Sequence, residues 1–140
     1  MSTYIPVALQ RQVREFFQDR CAYCQTGEWL TTSTFEYEHI IPISASGETV
    51  FTNLCLACPT CNRYKASRQS VWDEIAQQAI PFYHPHKQRW GEHFRWSVDA
   101  AELVGLTRTG EITITALRMN RVQMLWVRRM WVKMGEHPPR

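Results

Sequence analysis

Two Cys-x-x-Cys pairs constrain this chain more than any other feature: Cys21-Ala22-Tyr23-Cys24 and Cys58-Pro59-Thr60-Cys61, separated by the 33 residues from Gln25 to Ala57. Four thiolates in two such pairs can close a tetrahedral shell, which is how structural zinc is held, and a closed shell leaves no position open for catalysis. The separation exceeds the usual zinc-ribbon spacing, so the clip must enclose a folded insert. Cys55 offers a competing pair in Cys55-x-x-Cys58-x-x-Cys61. Cys58 and Cys61 are favoured because Cys55 lies between Leu54 and Leu56 in an extended run, whereas Pro59-Thr60 suits a ligand turn. The opposing reading is a set of inert buried thiols.

Five cysteines, four of them in ligand pairs, fit a thiol-reducing compartment better than a secreted disulfide frame. The N-terminus lacks the basic-then-apolar layout of a signal peptide, and no apolar run approaches the roughly 18 residues of a membrane span. A cytoplasmic protein with no membrane partner is therefore expected. With 140 residues, 44% hydrophobic and 21% charged, the chain is expected to be a single domain over 1–140. A net charge of +3 permits a nucleic-acid partner without demanding one. The basic side chains Arg63, Lys65 and Arg68 cluster just after the second cysteine pair.

Periodicity predicts a first helix from Pro6 to about Asp19, with Val7, Leu9, Val13, Phe16 and Phe17 on its apolar side. The β-branched and aromatic stretch 31–41 predicts a strand ending at His39 to Ile41, and Val50 to Ala57 reads as a second extended run. A helix is expected to begin near Cys61 or Asn62 and to carry Arg63, Tyr64, Lys65 and Arg68. Beyond Ser70, Val71 to Ala79 reads as a possible helix followed by a traversing loop. A hairpin is expected over 92–106, turning near 98–101, with a further turn at 107–110. Ile112 to Met119 is ambiguous between strand and helix. Asn120 is expected to cap a last helix, with Val122, Leu125, Trp126, Met130 and Val132 on its apolar side and Gly135 stopping it. Most of the six tryptophans are expected in the core.

Within the insert, Glu38 and His39 are adjacent, so in a regular strand they point to opposite faces. A carboxylate is a hard ligand suited to magnesium or manganese, and a neutral imidazole can take a proton from water. Alone, this dipeptide is weak evidence. Taken together, Cys21-x-x-Cys24, Glu38-His39-Ile40-x-Pro42, Asn53-Leu54 and Cys58-x-x-Cys61-Asn62-x-x-Lys65 resemble the HNH endonuclease family, over about a third of the chain. The resemblance implies an α+β fold: a ββα-metal core over 20–69 stapled by the four-cysteine zinc site, with an N-terminal helix and a hairpin-plus-helix extension over 70–140.

It further implies a metal-dependent endonuclease acting on nucleic acid, most plainly double-stranded DNA. Residue by residue, it makes His39 the general base and Asn53 the brace of the loop bearing it. Glu38 and Asn62 become ligands of a catalytic magnesium or manganese ion, separate from the zinc. Arg63 and Lys65 become phosphate contacts, with Arg68 beside them. Glu38 stands where Asp is frequent in that family, and Asn62 replaces its last His. The competing functions are a catalytically silent, zinc-stapled nucleic-acid-binding module and a protein-interaction domain using the Trp-rich C-terminal half. Target specificity, oligomeric state and biological role are not legible in the sequence.

Overall fold

Four consecutive apolar residues, Leu54–Ala57, form a fully buried strand on which the N-terminal half is assembled. The computed structural model describes residues 4–140, and the chain divides into two units, one ending at Gln69 and the next beginning at Ser70. Helices and small antiparallel sheets together make an α+β fold.

In the first unit, helix α1 (Val7–Phe17) packs on the buried strand and ends where Gln18 and Asp19 turn left-handed. Strand β1 (Glu36–His39) pairs antiparallel with β2 (Leu54–Ala57), in register from Glu36 opposite Ala57 to His39 opposite Leu54. Helix α2 (Pro59–Lys65) follows at once. It starts earlier than the sequence predicts because Pro59 occupies its first turn, where no N–H is missed, while the Cys58 sulfur accepts the Cys61 amide at 3.4 Å. It also ends before Arg68, whose guanidinium donates back to the carbonyls of Tyr64 (2.6 Å) and Lys65 (3.4 Å) as a C-terminal cap.

Arg14 ties this unit together. Its guanidinium forks onto both Glu28 oxygens at 2.8 and 3.1 Å and donates to the Tyr37 hydroxyl at 2.7 Å, holding the Glu28 carboxyl below its ordinary range. Both side chains keep about a quarter of their surface in water, so Arg14→Ala is expected to cost about 1 kcal/mol. A group whose folded pKa is depressed contributes stability above its unfolded pKa and loses it as pH falls. The gap between wild type and Arg14→Ala in urea melts should therefore close below about pH 4.

The second unit holds two hairpins and three helices. Strands β3 (Ser70–Asp73) and β4 (Gln78–Pro81) pair across the segment that the sequence read as a helix. Asp73 ends the strand by accepting the Ile75 amide, and Gln77 adopts positive φ in the turn. Helix α3 (Trp90–His93) leads into β5 (Phe94–Trp96), which pairs with β6 (Leu103–Gly105) as expected. The anticipated turn at 107–110 is instead the start of α4 (Arg108–Ala116), where the Thr107 hydroxyl accepts the Gly110 amide, so 112–116 is helical.

Asn120 does not cap α5 (Val122–Lys133); its amide brackets the Leu103 backbone on both sides at 2.8 Å. The face of α5 that is buried is Met124, Arg128 and Trp131, while Val122, Trp126 and Met130 are exposed, the reverse of the expected stripe. Arg128 enters the core because the carbonyls of Ala101 and Met119 accept from its guanidinium. Of the tryptophans only Trp131 is buried, and Trp29, Trp72 and Trp126 are each more than half exposed.

Candidate functional site

The cysteine knuckle Cys21–Cys24 is held against β2 by the Ala22 amide, which donates to the Leu56 carbonyl at 2.8 Å. The second pair opens α2 directly after β2, so both pairs converge beneath the hairpin. The sulfurs of Cys21, Cys24, Cys58 and Cys61 all lie within 4.8 Å of one another, and Cys24 and Cys58 are 3.9 Å apart. A tetrahedral zinc with bonds of about 2.3 Å separates its sulfurs by about 3.8 Å, so the donor set fits zinc in number, chemistry and spacing. All four are buried. Without an ion such thiols compete for charge. Hydrogen bonds from the other three sulfurs, Cys21 first, draw the Cys24 pKa down, while burial pushes Cys21 up and bonding to its neighbours pushes Cys61 up. A divalent cation would lower all of them.

Cys55 is not part of this cluster. It faces the opposite strand, where its sulfur donates to Glu38 Oε2 at 3.4 Å, and burial raises its pKa. Glu38 is likewise turned inward. Its Oε1 meets Lys65 Nζ at 2.7 Å and accepts from the Tyr23 hydroxyl at 3.3 Å, and Glu38 and Lys65 side chains are 4% and 2% exposed. Burial raises the carboxyl pKa and the Lys65 charge pulls it back. Lys65 also donates to the Ile40 carbonyl at 3.2 Å. This departs from the sequence reading in two ways. Lys65 is withdrawn from any surface a phosphate could touch, and Glu38 has both oxygens committed to protein donors.

Asn62 sits one helical turn before Lys65, and its amide donates to Glu36 Oε1 at 2.8 Å. The side chains of Asn62 on α2 and Glu36 on β1 therefore lie side by side at the surface, whereas the Glu38 carboxylate is buried against Lys65. An exposed carboxylate beside an amide oxygen fits a hard, largely hydrated divalent ion. Glu36 was missed in the sequence, although strand alternation places it on the same face as Glu38.

His39 ends β1. Its Nε2 lies 2.9 Å from the Thr49 hydroxyl, and partial burial lowers its pKa below the ordinary 6.5. The loop between the strands is clamped by Asn53. Its carbonyl oxygen accepts the Ile41 amide at 2.8 Å, and its amide donates to the carbonyls of Ile41 (3.0 Å) and Glu48 (2.9 Å). At Gly47 an added Cβ would fall within 1.8 Å of the Ile41 oxygen, so only glycine lets the loop close this tightly. Thr49 was also missed, since it lies ten residues from His39 in irregular chain. Arg63 and Arg68 are exposed.

Residues 21–68 match the HNH endonuclease family, a family that generally acts on nucleic acid; the match covers about a third of the chain. No curated protein and no solved structure matches the chain. No helix among the described residues is long and apolar enough to cross a membrane.

Proposed function

We propose that the HNH segment is a metal-dependent endonuclease that hydrolyses phosphodiester bonds in double-stranded DNA, with His39 as the general base. The observation that carries this reading is the His39 imidazole. It stands at the end of the family-matched hairpin, is fixed at one ring nitrogen by Thr49, and is kept neutral to lower pH by burial. A neutral imidazole takes a proton from water; the hydroxide oxygen bonds to phosphorus as the bond to the leaving oxygen breaks, and that oxygen takes a proton from solvent. The remaining nitrogen shares the positive charge with the Thr49 hydroxyl. Asn53 holds the loop carrying that hydroxyl. Arg63 and Arg68 supply exposed positive charge for phosphates, the sequence-independent part of duplex binding. The zinc is structural.

Asn62 and Glu36 would hold a magnesium or manganese ion, which when bound would supply positive charge to the phosphate. Glu36 takes the place expected for Glu38 because Glu38 is already the counter-ion of buried Lys65. In the zinc-loaded protein, Glu36→Gln should weaken Mn2+ binding, read by electron paramagnetic resonance, by about tenfold or more. Glu38→Gln should keep that affinity and lose about 3–5 kcal/mol of stability. A folded Glu38→Gln protein that no longer binds Mn2+ would restore Glu38 as the ligand.

The function itself is tested by converting supercoiled plasmid with and without magnesium, using wild type beside His39→Ala. Zinc-loaded wild type that leaves duplex DNA intact with either magnesium or manganese overturns the nuclease. The commitment of Glu38 to Lys65 favours a second reading, a silent binding module; that module would shift duplex DNA in gels yet never cut it.

A further inference from the structure

Resting on His39 as the base, we infer that Thr49 is a positioning residue whose hydroxyl oxygen accepts the Nε2 proton and thereby leaves the lone pair on Nδ1. The geometry that carries this is the 2.9 Å contact between Nε2 and Thr49 Oγ1, the one hydrogen bond of that side chain among the described residues. Nε2 is covered by the threonine, so water can be deprotonated only at Nδ1. A neutral imidazole holds a single proton; were Thr49 to donate, that proton would sit on Nδ1 and the ring could accept nothing there. When water gives its proton to Nδ1, the ring becomes imidazolium, its Nε2–H still donating to the Thr49 hydroxyl oxygen.

The loop explains how a side chain in irregular structure keeps this aim. Asn53 grips the Glu48 carbonyl, one residue before Thr49, with the same amide that grips Ile41, two residues after His39. Donor and acceptor are therefore referenced to one side chain. The middle asparagine acts on the base at both ends, through the strand that carries His39 and through the hydroxyl that orients it. A β-branched threonine is stiff at χ1, which keeps its half-buried hydroxyl from wandering in an otherwise exposed loop.

The test uses the full-length, zinc-loaded protein labelled with 15N-histidine. Long-range proton–nitrogen spectra are recorded at a pH where the ring is neutral, and the His39 signals are assigned by their loss in His39→Ala. Wild type should show a protonated Nε2 and an unprotonated Nδ1. Thr49→Val should mix the two tautomers and slow plasmid cleavage on the order of ten- to a hundredfold, with zinc content and Mn2+ binding retained. Thr49→Ser should restore both the single tautomer and most of the rate. An active wild type with its proton on Nδ1 overturns the inference. So does Thr49→Val with an unchanged tautomer and rate. If Thr49→Val does not fold, the wild-type spectrum and Thr49→Ser still decide. An inactive wild type instead brings down the nuclease reading, and the spectra still judge the hydrogen bond.

Discussion

His39→Ala is expected to cut the rate of plasmid cleavage by roughly a hundredfold or more, the usual scale for removing a general base, while zinc content, fold and duplex binding persist. The separation of effects follows from placement. His39 is only half-buried and, among the described residues, makes one side-chain hydrogen bond, to Thr49, so its loss removes little packing. Because burial lowers its pKa, the ring stays unprotonated to lower pH than an exposed histidine. The acid limb of the wild-type rate should therefore fall below pH 6.5. Single-turnover rates against pH check both points. A variant as fast as wild type would remove His39 from the chemistry.

The larger structural effect is expected from the cysteines. Structural zinc contributes an apparent 10–16 kcal/mol or so in small domains, comparable with or above the whole stability of a domain this size, about 5–15 kcal/mol. Removing zinc with a chelator, or Cys58→Ser, should unfold the first unit and abolish cleavage together. Cys55→Ser should keep about one zinc per chain, since its sulfur lies on Glu38 and outside the cluster. Elemental analysis and circular dichroism read the outcome, and zinc lost on Cys55→Ser but kept on Cys58→Ser would reverse the ligand assignment.

Features written in local spacing were legible in the sequence. The cysteine pairs, the strand before Pro42 and the hairpin of β5 and β6 all follow from near-neighbour patterns. What escaped depends on distant partners. A lysine after a metal motif reads as a surface charge until Glu38 and the Ile40 carbonyl are seen to receive it. Arg128 reads as the polar side of α5 until carbonyls from two other segments surround it, and that one residue rotates the expected face of the helix. The β3–β4 hairpin lacks glycine in its turn, so helix propensity won on paper while cross-strand pairing wins in the fold. Glu36 was within reach of simple strand alternation. Thr49 was not, since no period runs through a loop.

The Asn53 clamp anchors an exposed turn at both its ends. Ile41 and Glu48 are the fixed points, and between them Ile43, Ser44, Ala45 and Ser46 all face water. The Asn53 clamp lies between that turn and the imidazole. On the nuclease reading, target-reading segments added there would leave the framework around His39 and Asn53 in place.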